Sequence, residues 1–104
     1  MTVVKITRNI EFSEYIVEVS GHAGYAEQGK DIVCASIATL CNLFIAYFGK
    51  DAVIETGEGR FFAAFQPTEE RIKILDAVVA CFEELVRQFP ENVRVENFYS
   101  SGEQ

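Results

Sequence analysis

One segment constrains the fold of this chain more than any other: residues 32–48 are mostly apolar and contain no charged side chain. Asp31 before the segment suits a helix N-cap, and Gly49 after it suits a C′ stop, so we predict a helix here. Three polar residues interrupt the segment, and it is too short to span a membrane. A helix that is apolar almost all round must be covered on every side. We therefore expect a homodimer in which a second copy of the chain completes the cover.

The other elements place this helix in an α+β fold. Apolar residues at helical spacing follow Pro67 and the N-cap candidate Thr68, which predicts an amphipathic helix ending before Pro90. Alternating apolar residues predict five strands, the first two forming a hairpin. These strands cover residues 2–8, 14–22, 52–56, 60–66 and 93–98. The order ββαββαβ indicates a largely antiparallel sheet with two helices packed on it, and the tail from Ser100 is expected to fray.

The composition fits a single domain spanning residues 1–104. Asp and Glu total 16 against 9 Lys and Arg, which gives a net charge of −7. Phosphate binding needs clustered cations, so we expect no direct nucleic-acid partner, whereas a basic protein or peptide would be attracted. The N-terminal residues lack the apolar stretch of a signal peptide, and no run is long enough to cross a membrane. We therefore expect a cytoplasmic protein without a membrane partner.

The chain has three cysteines and one histidine. An odd cysteine count without a secretion signal predicts free thiols in a reducing compartment. Cys34 and Cys41 on one helix would be roughly 10 Å apart at a rise of ~1.5 Å per residue, beyond the ~7 Å limit of a disulfide. Zinc-ligand spacing is missing, so neither a metal nor another cofactor is expected. We interpret Cys41 and Cys81 as buried packing residues.

The single histidine and the first cysteine flank a short loop, residues 23–30. His22 is predicted at a strand end and Cys34 in the first helical turn, where the helix N-terminus favours the nucleophilic thiolate. A neighbouring imidazole can take the thiol proton and later protonate a leaving amine. Backbone amides of the first turn, such as that of Ala35, could hold an oxyanion. Asp31 could orient His22 as the third member of a triad, or it could only cap the helix.

The same residues also fit plainer interpretations. A cysteine on an apolar helix is usually a small buried hydrophobe, and a histidine nearby can be a coincidence. Gly24 and Gly29 fit an ordinary connection as well as a mobile segment that orders over a substrate. Tyr25 fits simple packing as well as contact with a substrate.

A resemblance to a known family changes the weight of these alternatives. The stretch Gly21-His22-Ala23, followed by Gly29 and by Asp31-Ile32-Val33-Cys34-Ala35, resembles the signature of the ribosomal-processing cysteine protease family of bacteria. The resemblance implies a small dimeric cytosolic peptidase. Its implied substrate is a large-subunit ribosomal protein with an apolar, phenylalanine-containing N-terminal extension, which the enzyme removes.

Carried over by position, the resemblance implies that Cys34 is the nucleophile and His22 its base. Asp31 corresponds to the acidic residue of the motif, and Gly21 and Gly29 flank the mobile segment. Ala38 departs from the serine that many members carry, which argues against a polar helper at that position.

Three hypotheses about function follow. The first is peptide-bond hydrolysis through an acyl-enzyme at Cys34. The second is a non-enzymatic module that binds a ribosomal protein or an assembly factor through its acidic surface. The third is a thiol redox sensor, which would need a resolving cysteine that the sequence does not make evident.

Overall fold

The computed structural model describes residues 1–27, 29–48 and 51–100, and over these residues it has the predicted ββαββαβ order. The elements are β1 (Thr2–Asn9), β2 (Glu14–Ser20), α1 (Ile32–Phe48), β3 (Val53–Gly57), β4 (Arg60–Phe65), α2 (Glu69–Gln88) and β5 (Val93–Ser100). The α+β fold class expected from the sequence is therefore confirmed.

The strands form one sheet in the order β3-β4-β2-β1-β5. The pairs β1–β2, β2–β4 and β3–β4 are antiparallel, which confirms the predicted first hairpin and the largely antiparallel sheet. β5 instead pairs with β1 in parallel, with Thr2 opposite Val93. The first and last strands of the chain are therefore neighbours.

The core lies on one face of this sheet. Val4, Ile6, Val17 and Ala63 are completely buried, and the register places them on the same face. α1 packs against β4, α2 packs against β5, and the two helices contact each other. Strand alternation thus produces one apolar layer, which the helices cover.

The two helices differ in how completely they are covered. In α2, the buried residues Leu75, Val78, Val79 and Phe82 form the predicted stripe, and Thr68 caps the helix by accepting from the N–H of Arg71 at 3.1 Å. In α1, a similar stripe is buried, but ten of the 17 residues are exposed. The sheet and α2 therefore cover only one side of the uncharged helix.

Several predicted boundaries shift. β2 ends at Ser20, two residues before the predicted end, because Gly21 takes a left-handed φ of +88°. Ser100 belongs to β5 and its carbonyl accepts from the N–H of Ile10 at 2.8 Å, so the prediction of fraying from Ser100 is wrong for that residue. The remaining tail and the predicted helix stop at Gly49 lie outside the described residues.

Cys81 is a further correction. It is exposed on α2 instead of buried, because it lies off the apolar stripe of that helix. Cys41 on α1 is buried, as predicted. Within the part of the chain that the structure describes, no helix is long and apolar enough to cross a membrane.

Candidate active site

The backbone beyond β2 turns sharply to present His22. The N–H of Gly21 donates to the carbonyl of Gly59 at 2.8 Å, and its own carbonyl accepts from the Thr2 hydroxyl at 3.1 Å. A Cβ at this position would collide with the carbonyl oxygen of Met1. Gly21 is therefore required by both its φ and its surroundings. The next residue, His22, is exposed, and its carbonyl accepts from the Met1 nitrogen at 2.8 Å.

Asp31 caps α1 and places Cys34 in its first turn. Its Oδ1 accepts from the N–H of Val33 at 3.0 Å and of Cys34 at 2.9 Å. This is the geometry of an N-cap, which satisfies amides that have no partner within the helix. Cys34 is the third residue of α1 and is partly buried.

The second carboxylate oxygen of Asp31 accepts hydrogen bonds from the preceding loop. Oδ2 accepts from the N–H of Tyr25 at 3.0 Å and of Ala26 at 3.3 Å. Partial burial opposes ionisation of the carboxyl group, but the backbone donors outweigh it and hold the pKa of Asp31 below its ordinary value. All four of these bonds go to main-chain amides. The structure thus shows Asp31 as the helix cap, and none of these four bonds goes to His22.

The Cys34 thiol lies beside the backbone that follows His22. Its Sγ accepts from the N–H of Ala23 at 3.3 Å. Ala23 is itself fixed, because it is buried and its carbonyl accepts from the side-chain amide of Asn92 at 2.9 Å. Asn92 lies just before β5, and nothing in its sequence context signals this role.

His22 and Cys34 lie where two surface cavities meet, because both residues line both cavities. The first cavity, of about 410 Å³, has apolar walls that include Ile37, Ile45 and Phe61. The second, of about 580 Å³, has a wall that includes Asp31 and Glu58. His22 and Cys34 are therefore accessible to a ligand in either cavity.

The predicted oxyanion donor is already engaged. The N–H of Ala35 donates to the carbonyl of Asp31 at 3.1 Å, and the N–H of Cys34 donates to its carboxylate. The expectation that the Ala35 amide is free for an oxyanion is therefore not met in this conformation. The helical ladder and the N-cap, which position Cys34, use these donors.

Of the remaining predicted residues, Gly24, Gly29 and Ala38 line the cavities. Gly24 and Gly29 have left-handed φ values of +71° and +89° with open space around them. The Tyr25 ring packs edge-on against Phe89, with centroids 5.2 Å apart, and the residue is 48% exposed. Ala38, where the family resemblance predicts serine in many members, lines the first cavity.

A second thiol lies in the wall of the first cavity. Cys41 is 6% exposed, and burial raises the pKa of its thiol to about 12. It is therefore a neutral packing group at neutral pH. Among the described residues, no group of three or more His, Cys, Asp or Glu side chains could hold a metal ion.

Comparisons with known proteins show what this chain is similar to. The family model described as cysteine protease Prp matches residues 1–94. The ribosomal processing cysteine protease Prp of Bacillus subtilis (strain 168) is 30% identical over 90 residues, covering 75% of this chain and 80% of the relative.

Two groups of solved structures share the fold. The ribosomal processing protease Prp of S. aureus, solved with a covalently linked product peptide, has a TM-score of 0.77 at 24% identity, covering 93% of this chain and 99% of that one. A Streptococcus mutans protein has a TM-score of 0.69 at 23% identity, covering 96% of each chain.

Proposed function

The chain belongs to the cysteine protease Prp family, and from this premise we propose that it removes the N-terminal extension of a bacterial large-subunit ribosomal protein. Membership confirms the resemblance noted from residues 21–35 and makes the chain a cysteine peptidase. The proposed nucleophile is Cys34 and the proposed base is His22. The observation that supports these roles best is that both residues line both cavities of one cleft.

The proposed reaction uses the two side chains in sequence. His22 takes the proton of the Cys34 thiol, and the thiolate attacks the carbonyl carbon of the scissile peptide bond to form a C–S bond. The tetrahedral intermediate breaks the C–N bond while the imidazolium gives its proton to the leaving amine. Water then attacks the thioester with His22 as base, which releases the carboxylate product and restores the thiol.

The cleft supports an apolar extension as the substrate segment. The walls of the first cavity, formed by Val19, Ile37, Ile45 and Phe61, would exclude water from a large apolar side chain such as phenylalanine. The net charge of −7 favours approach of a basic ribosomal protein and disfavours direct binding of nucleic acid. We place this processing in the cytoplasm, where thiols such as Cys34 stay reduced.

We also propose that the protein is a homodimer that covers α1. Leu43 and Tyr47 are 46% and 49% exposed and lie four residues apart, so they share one face of a helix without any charged residue. An exposed apolar face of this kind favours association. Light scattering coupled to gel filtration should give twice the chain mass, and Leu43→Glu should shift it to the monomer; a wild-type monomer at micromolar concentration would contradict the proposal.

The proposed activity is tested with a synthetic peptide carrying an apolar, phenylalanine-containing N-terminal extension, with products read by mass spectrometry. Cys34→Ser and His22→Ala should abolish cleavage while the folded state is retained. Cys81→Ser is the matched control, since Cys81 is exposed on α2, and it should cleave at the wild-type rate.

Three outcomes would contradict the proposal. Normal cleavage by Cys34→Ser would exclude Cys34 as nucleophile. Binding of the peptide by wild type without turnover would indicate an interaction module. A reversible sulfenic acid or mixed disulfide at Cys34, again without turnover, would indicate a redox sensor.

A further inference from the structure

We propose that Gly59, in the turn between β3 and β4, is a positioning residue that fixes the ring orientation of His22. This inference rests on the proposed function for its consequence, because it assigns His22 the role of base. Its structural content is independent of that role. It concerns a turn that joins two antiparallel strands, β3 and β4.

The first observation is the contact between the glycine and the imidazole. A Cβ built on Gly59 would lie 2.9 Å from Nε2, 3.2 Å from Cε1 and 3.3 Å from Cδ2 of His22. The two carbons would be only slightly farther away than the nitrogen between them. The added atom would therefore lie over the ring face at Nε2 and not in the ring plane. The Cα of Gly59, which carries no side chain, therefore packs against one face of the ring.

The second observation is that backbone hydrogen bonds fix the position of Gly59 relative to His22. Strands β2 and β4 pair up to Ser20 and Arg60, and the N–H of Gly21 then donates to the Gly59 carbonyl at 2.8 Å. Gly59 has a left-handed φ of +64°, which glycine adopts without a steric cost. A shift of one residue in this register would place the side chain of Glu58 or Arg60 against the imidazole.

Gly59 therefore blocks one face of the His22 imidazole, while the edge of the ring stays available for proton transfer. An imidazole that must exchange protons with Cys34 and with a leaving amine needs a defined plane, since proton transfer depends on the direction of the nitrogen. Gly59 fixes the plane of the imidazole, although it lies far from His22 in the chain. Gly59 also lines both cavities, so the turn forms the wall of the cleft opposite α1.

The test uses the only histidine of the chain, whose two ring C–H groups give unique NMR signals. Gly59→Ala should move or broaden both signals. Gly57→Ala, at the end of β3 with open space around it, and Gly29→Ala, with a left-handed φ and open space, should leave both signals in place. Unchanged signals in Gly59→Ala would overturn the proposal.

Activity provides a second measurement. A displacement of about 1 Å of a reacting group can cost ~100-fold in rate, so Gly59→Ala should lower kcat by that order while KM changes much less. A loss confined to KM would contradict a positioning role. If wild type cleaves no peptide but Gly59→Ala still moves the ring signals, the proposed function fails and the positioning inference stands.

Thermal unfolding separates the ring contact from backbone strain. Gly59→Ala should lower Tm more in the wild-type background than in His22→Ala, because the second background lacks the ring that the new methyl group meets. If Gly59→Ala alone does not fold but the double variant with His22→Ala does, the conclusion is the same. Equal losses in both backgrounds, or failure of both to fold, would show that the ring is not the reason for the glycine.

Discussion

Removing the carboxylate of Asp31 should destabilise the fold through two separable contributions. Asp31→Ala deletes an N-cap, which typically costs about 1 kcal/mol. It also deletes the bonds to the N–H groups of Tyr25 and Ala26, at roughly 0.5–1 kcal/mol each for partly exposed hydrogen bonds. The free energy of unfolding should fall by about 2–3 kcal/mol in total, which for a domain of this size lowers Tm by roughly 10–20 °C.

Two further variants divide that loss. Asp31→Asn keeps the acceptor for the cap but turns an N–H₂ group towards the loop amides, so it should lose the loop contribution alone, about 1–2 kcal/mol. Asp31→Ser keeps the cap and has no group that reaches the loop, so it should behave similarly. Urea unfolding gives the free energies. A loss in Asp31→Ala below about 0.5 kcal/mol would refute the assigned bonds. Equal losses in Asp31→Ala and Asp31→Asn would refute their division.

The pH dependence of the same contribution has a defined sign. The pKa of Asp31 is lowered in the folded state, so the folded state favours the ionised form. Its contribution is therefore complete above the unfolded value, close to 3.8, and is lost as the pH falls through the lowered folded value. The stability difference between wild type and Asp31→Asn should be constant above about pH 5, roughly one unit above the unfolded value, and should shrink as the pH falls further. A difference that grows on acidification would refute the assignment.

Three more predictions concern the thiols, a helix cap and the core. Iodoacetamide should label Cys34 fastest, exposed Cys81 more slowly and buried Cys41 least, with the labelling read by peptide mass spectrometry. Cys41 should be slowest because burial raises its pKa to about 12. Equal rates at all three thiols would contradict activation of Cys34. Thr68→Ala should lower the free energy of unfolding by about 1 kcal/mol in urea, and no loss would show that its bond to the helix is unimportant. Phe82→Ala, at a completely buried site, should cost about 3–5 kcal/mol, and a cost below that of Thr68→Ala would contradict the assigned core.

The sequence predicts the elements well where periodicity is strong. The apolar stripe of α2 and the alternation in β1 and β2 carry their own signals, since each depends on residues near in the chain. The parallel pairing of β5 with β1 has no local signal, because it joins residues from opposite ends of the chain. The prediction for Cys81 is wrong for a different reason: the general tendency of cysteine to be buried does not hold at a position off the apolar stripe of α2.

The residues of the candidate site likewise fall into those that the sequence identifies and those that only the structure reveals. His22, Asp31 and Cys34 come from one segment, so their spacing identifies them. Gly59 and Asn92 reach the site through strand pairing and the α2–β5 connection, and no pattern in the sequence places them there. The engaged amide of Ala35 likewise depends on hydrogen bonds that only coordinates reveal.

The bond from Asn92 to Ala23 joins residues 69 positions apart, and it has a consequence for the timing of activity. A ribosome that has already made His22 and Cys34 must still add the whole of β3, β4 and α2 before it reaches Asn92. At about 5–20 residues per second this takes several seconds. During that interval the growing chain carries both reactive side chains without the tether that holds the backbone between them. We expect peptidase activity to arise only near the end of synthesis, so that a nascent or truncated chain is kept from cutting the proteins around it.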